Sequence, residues 1–190
     1  MLDQLLQLDT ELFLFLNNLG STKWDAFWMF YTAKFNWIPF YAVLLYVMFK
    51  QHTPRMFLTI LLLVVLMIVF TDQITNLFKY GFERPRPCHQ EGVNNVMRIV
   101  KEGCGGRYGY FSGHASNTMA TAVFVGLLLR EKYKYLIFIL LLWSAAMGYS
   151  RIYIGVHYPL DVISGFTFGA LSGFMFYKLS QFLKHKYQMD

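Results

Sequence analysis

The chain has 190 residues, of which 56% are hydrophobic, 19% aromatic and only 15% charged, with a net charge of +6. Soluble domains carry about 25% charged residues, so this composition leaves a compact membrane domain or an unusually apolar soluble one, and the apolar runs taken below decide for the membrane. They point to an all-α integral membrane helix bundle of about five to six transmembrane helices, read as one domain over residues 1–190. Membrane lipids are the expected surroundings, with no nucleic-acid partner.

The chain opens with Asp3, Asp9 and Glu11 where a secretory leader would be basic, and no small-residue cleavage site follows. No cleavable signal peptide is therefore expected. Leu2, Leu5, Leu6, Leu8, Leu12 and Phe13 recur at helical spacing, which predicts an amphipathic helix at the membrane interface. Trp24–Lys34 reads as a second one. Residues 1–34 are thus an interfacial segment or, if residues 10–35 form one imperfect span, a first crossing. A span needs about 17–25 apolar residues. Met56–Phe70 has no charge and a single threonine, and the apolar pattern persists to Phe78. The predicted spans are 36–50, 55–78, 113–130, 134–149 and 158–183.

Lys79–Tyr110 is the one long polar stretch, and it holds both cysteines, Cys88 and Cys104. Alternating spans place this stretch, treated as an active-site loop over residues 79–112, on one face. The short turns with Lys50, Arg55, Arg130, Lys132, Lys134, Lys184 and Lys186 fall on the other. Setting aside Lys79, Arg86 and Arg151 as chemistry leaves seven cations on the short-turn face against Arg84, Arg98, Lys101 and Arg107. Positive charge favours the cytoplasm, so the long loop is expected outside, in the periplasm of a bacterial inner membrane. There Cys88 and Cys104 can form a disulfide; the alternative is two unpaired thiols. Gly165, Gly169 and Gly173 lie four apart on the last span, a spacing that lets helices pack closely in lipid.

Three polar clusters fall at the same membrane depth: Lys79–Pro87, Phe111–Asn117 and Ser150–Asp161. Lys79, Arg86 and Arg151 supply fixed cations, and the arginine fork matches phosphate oxygens. Ser112 can donate a hydroxyl, and Gly113 admits an oxyanion close to the backbone at a helix start. His157 precedes Asp161 by four residues, which puts both on one helix face. The carboxylate can hold one imidazole nitrogen protonated and leave the other free to attack. His114, on another helix, can protonate a leaving oxygen. Arg84 is a further candidate substrate contact. Asp72 lies nearly two turns inward from Lys79 and is expected to brace neighbouring helices.

These blocks resemble the type 2 phosphatidic acid phosphatase (PAP2) superfamily. The chain reads Lys79-x6-Arg86-Pro87, then Ser112-Gly113-His114, then Ser150-Arg151-x5-His157-x3-Asp161, in the family's order. Phe111 stands where the family usually has proline and removes no catalytic group. The resemblance implies that His157 attacks phosphorus to form a phosphohistidine and that Asp161 orients it. His114 would protonate the leaving group and then activate water. Lys79, Arg86, Ser112, Gly113 and Arg151 would hold the phosphate oxygens, with no metal or other cofactor. It also implies a lipid phosphate or diphosphate substrate. "TDQITNLFKYGFERPRPC" resembles forms found in Bacteroidetes, where carrier-lipid recycling and lipid A dephosphorylation both fit. The expectation is undecaprenyl diphosphate, with lipid A, phosphatidylglycerol phosphate and phosphatidic acid as alternatives. From another class, a proton-coupled transporter using His114, His157 and Asp161 would be expected to show internal repeats, and none is evident. A metal site at the same residues would be opposed by the three cations.

Overall fold

A computed structural model of the chain describes residues 1–101 and 103–189. Among these it contains seven α-helices and no strand: α1 (Leu2–Asn18), α2 (Thr22–Thr32), α3 (Ile38–Gln51), α4 (Pro54–Phe82), α5 (Gly113–Leu128), α6 (Leu136–Tyr153) and α7 (Pro159–Lys186). Short 3₁₀ turns lie at Lys34–Trp37 and Pro87–His89.

Local chemistry sets the helix starts that matter. Pro54 opens α4 behind Thr53, whose hydroxyl accepts from the Met56 N–H. Ser112 caps α5 by accepting from Ala115 N–H. Pro159 opens α7, where the Asp161 carboxylate reaches back to the Tyr158 N–H at 3.0 Å. Each cap satisfies a donor that the helix leaves unpaired. Proline loses nothing at a first helical position.

Helix α5 is the central element and packs on α4, α6 and α7, most extensively on α7. The core joins Leu44 and Met48 of α3, Met56, Ile60, Leu63 and Met67 of α4, Phe124 and Val125 of α5, Leu140 of α6 and Phe176 of α7. The glycine seam lies between α5 and α7. A Cβ on Gly165 would stand 2.6 Å from the Ser112 carbonyl oxygen, and those on Gly169 and Gly173 would collide with the Ser116 and Ala120 carbonyls.

Three helices are long and apolar enough to cross a membrane: α4, α6 and α7. Only 22% of the apolar window of α4 is buried by protein, so most of that surface is left for lipid. Helices α3 and α5 have 14 and 16 residues, shorter than a span of about 17–25.

Residues 10–35 do not form one continuous helix. The chain breaks after Asn18 and restarts at Thr22. Helix α1 is built inside out: Asp9, Phe13 and Asn17 are its buried residues, while Leu2, Leu5, Leu8 and Leu12 are exposed. Its polar groups serve the ends of other helices. Asn17 Nδ2 donates to the Ile152 and Tyr153 carbonyls at 3.2 and 2.9 Å, where α6 ends. Asp9 Oδ1 accepts the Leu160 N–H at 2.8 Å, where α7 begins.

Candidate active site

The three polar clusters meet at one end of the bundle, where α4 ends, α5 begins, and α6 turns into α7. They line a cavity of about 640 Å³ whose polar residues include Lys79, Arg86, Lys101, His114, Arg151 and His157. Gly113 lines it as well, at the first residue of α5.

Residues 84–86 pair with 107–109: Arg86 N–H donates to the Arg107 carbonyl and Gly109 N–H to the Arg84 carbonyl. The Cys88–Cys104 disulfide ties the same two segments. Arg86 is therefore held from behind, with Nε donating to the Tyr108 carbonyl at 3.2 Å and Nη1 to the Cys104 carbonyl at 3.0 Å. Arg151 is buried and donates from Nη1 to Thr32 Oγ1. Its Nε has no partner among the described residues. Lys79 Nζ reaches Asn76 Oδ1 at 3.4 Å. Burial, with the Arg151 and Arg86 guanidinia nearby, pulls the Lys101 ammonium below its usual range, a sign of concentrated positive charge.

His157 is 2% exposed and Asp161 fully buried. His157 Nδ1 lies 3.3 Å from Asp161 Oδ2. A carboxylate can only accept, so Nδ1 carries the proton and Nε2 keeps a lone pair. Burial first, then Arg86, Arg151 and Lys79, hold the imidazole well below its usual pKa; a Gly109 backbone hydrogen bond opposes them. The ring is neutral near pH 7, so the contact is a hydrogen bond rather than an ion pair. Gly109 sits tightly against the dyad: a Cβ there would lie 3.0 Å from Asp161 Oδ2 and 3.6 Å from His157 Nδ1.

Two expected contacts are placed differently. Arg84 does not reach for substrate, because Nη1 pairs with Asp161 Oδ1 at 3.0 Å and Nη2 with Asp9 Oδ2 at 2.6 Å. Ser112 is fully buried, and its hydroxyl serves the α5 N-terminus. Asp72 accepts from Asn117 Nδ2 at 2.9 Å, and Asn117 Oδ1 accepts from Thr71 Oγ1 at 2.5 Å, joining α4 to α5. Asp9, Thr32 and Gly109 carry no motif, Lys34 reads as the polar end of an amphipathic helix, and Lys101 reads only as a loop charge. Among the described residues, Cys88, His89 and Cys104 are the one group spaced for a metal, and the disulfide engages both sulfurs.

The other end of the cavity is apolar, lined by Leu44, Leu45 and Met48 of α3, Leu61, Val64 and Ile68 of α4, and Val125 of α5. One continuous space thus joins a cationic pole to a hydrocarbon-like chamber.

Comparison with known proteins agrees with this arrangement. A sequence model described as the PAP2 superfamily matches residues 57–184. A lipid A 4'-phosphatase of Bacteroides thetaiotaomicron is 34% identical, covering 100% of this chain and 84% of the relative. One from Porphyromonas gingivalis is 32% identical, covering 90% and 72%. An undecaprenyl-diphosphatase of Sulfolobus acidocaldarius is 30% identical, covering 88% and 76%. The fold is that of a PAP2-type phosphatidylglycerolphosphate phosphatase from Bacillus subtilis, with a TM-score of 0.76 at 19% identity, covering 95% of this chain and 88% of that one. The chain belongs to the PAP2 superfamily and is a membrane phosphatase.

Proposed function

We propose that the protein removes a phosphate monoester from lipid A, at the 4' position, through a phosphohistidine. The observation that carries the lipid reading is the cavity itself, cationic at one pole and apolar at the other. A phosphate can sit among Lys79, Arg86 and Arg151 while an acyl chain lies between α3, α4 and α5. The choice of lipid A over undecaprenyl diphosphate rests on the 34% and 32% identical relatives, against 30% for the diphosphatase.

In this reading His157 Nε2 attacks phosphorus. The N–P bond forms as the ester P–O bond breaks, and His114 protonates the departing oxygen. His114 then takes a proton from water, whose oxygen attacks the phosphohistidine and frees phosphate. Asp161 keeps Nδ1 protonated throughout. Lys79, Arg86, Arg151 and the Gly113 N–H hold the phosphate oxygens, and Ser112 fixes the α5 N-terminus that presents Gly113. Fixed cations meet the transition-state charge, so the chemistry needs no metal. Residues 1–190 act as one catalytic domain of five to six membrane passes, with the polar pole facing the periplasm from a bacterial inner membrane.

The test is phosphate release by purified protein in mixed micelles with EDTA, using lipid A, undecaprenyl diphosphate and phosphatidylglycerol phosphate at equal mole fraction. Lipid A is expected to give the highest kcat/KM and a product lacking the 4'-phosphate. His157→Ala is expected to lose about four orders of magnitude. Faster turnover of undecaprenyl diphosphate would overturn the lipid assignment, and an active His157→Ala would overturn the nucleophile.

A further inference from the structure

We infer that Asp9 is a positioning residue for the nucleophile, acting through Arg84 on Asp161. The inference rests on the proposed roles of His157 and Asp161.

The connection is a chain of charged groups in a buried setting. Asp9 is 4% exposed although α1 is rich in exposed leucines. Its Oδ2 accepts from Arg84 Nη2 at 2.6 Å, and Arg84 Nη1 donates to Asp161 Oδ1 at 3.0 Å. Asp161 Oδ2 then takes both His157 Nδ1 and the Tyr158 N–H. The same Asp9 carboxylate accepts the Leu160 N–H through Oδ1. Helix α1 thereby grips the first turn of α7 and the cation behind the orienting carboxylate together. Tyr158, adjacent to the nucleophile, is enclosed by the same groups: the Arg84 guanidinium lies 4.2 Å from its ring centroid, and Phe13 of α1 meets it edge-on at 5.3 Å.

This geometry divides Asp161 between two tasks. Arg84 engages one oxygen, so the other is aimed at His157. Arg84 alone would be a single cation pulling on that carboxylate and adding positive charge beside the imidazole. Asp9 balances it and fixes where the fork points. A docking residue would have no need of this: Asn17, on the same helix and also buried, docks α1 through neutral hydrogen bonds to α6. Burial pushes the Asp9 carboxyl up, while Arg84 and the Leu160 N–H draw it down.

The charged groups around this path are few. Arg84, Asp161 and Tyr158 face Asp9. Asp161, Arg86, Arg151, Lys79 and His114 surround His157. Removing the Asp9 charge leaves the set one unit more positive, which lowers the imidazole pKa further.

The experiment compares Asp9→Asn, Asp9→Glu and Asn17→Ala with the parent in the full-length protein, by kcat, KM, pH profile and thermal unfolding. Asp9→Asn is expected to lower kcat on the order of tenfold, leave KM within about twofold and move the acid limb to lower pH. Asp9→Glu keeps the charge and is expected to keep the acid limb while losing part of kcat, which covers an Asp9→Asn protein too unstable to assay. Asn17→Ala is expected to lower Tm and leave the acid limb in place. Parental kcat and acid limb in Asp9→Asn would overturn the inference, as would the same limb shift in Asn17→Ala. If His157→Ala is inactive and Asp9→Asn is normal, the inference fails alone; if His157→Ala is active, the reading beneath it fails.

Discussion

On one wall of the polar pole, both oxygens of Asp161 are engaged by Arg84, His157 and the Tyr158 N–H. On the facing wall, Arg151 keeps an unpartnered buried Nε among the described residues, and Lys79 has a 3.4 Å contact to Asn76. The protein meets the polar demand of the first wall itself. On the second it gathers like charges and leaves donors for an anion to satisfy. Buried polar groups cost stability when unpaired, so the second wall holds capacity in reserve and the first holds geometry.

The contrast breaks if substitutions on the two walls have the same effect. Asp161→Ala strips partners from Arg84 and His157 together. Phosphate release is expected to fall by about four orders of magnitude, and stability by about 3–5 kcal/mol, the usual cost of stranding a buried charge. Arg151→Ala is expected to cost about 10²–10³ in kcat/KM with no fall in Tm, because it relieves repulsion from Arg86. Kinetics and thermal unfolding on both variants decide it. An equal loss of stability in Arg151→Ala would erase the distinction.

Vanadate sharpens it from the ligand side. As a phosphate mimic at 100 times its Kd, it should raise unfolding stability by about 2.7 kcal/mol. That gain should persist in Asp161→Asn and vanish in Arg151→Ala, measured by thermal shift. Gly109→Ala tests the first wall. Its Cβ would press on Asp161 Oδ2 at 3.0 Å, and a misplaced base is expected to cost about tenfold or more in kcat; a parental rate would show that the dyad has slack.

The smallest effect is on pH. His157 is held below its unfolded value, about 6.5, by burial and then by Arg86, Arg151 and Lys79. Nε2 is therefore free at and below pH 6.5, and the acid limb of kcat/KM belongs below that value. For stability the sign is set by proton uptake. Below pH 6.5 the unfolded chain binds a proton that folded His157 refuses, so stability falls as pH drops from 6.5 and is unaffected above it. An acid limb above 6.5 in a kcat/KM profile would contradict this.

Much of this was legible in the chain. The five predicted apolar segments fall on the helices α3–α7, of which α4, α6 and α7 are long and apolar enough to cross a membrane; long apolar runs leave little choice of element. His157, Asp161, Arg151, Arg86 and Lys79 stood at motif spacing, and the cavity gathers four of them with His114. Asp9 was not legible, since it lies 152 residues from Asp161 and reads as the wet face of an amphipathic helix. In lipid the usual rule inverts: leucines can face outward, and the polar residue is the one that docks. Arg84 was misread for the same reason, because its purpose depends on Asp9. Gly109 gave no signal because only the folded loop shows what a methyl there would strike.

The glycine seam between α5 and α7 works as a gauge block. His114 rides on the first turn of α5, and His157 stands just before α7. With Gly165, Gly169 and Gly173 pressed onto α5 carbonyls, the two helices have no clearance left to close. The approach of the two helices that carry the histidines is thus set by backbone against backbone.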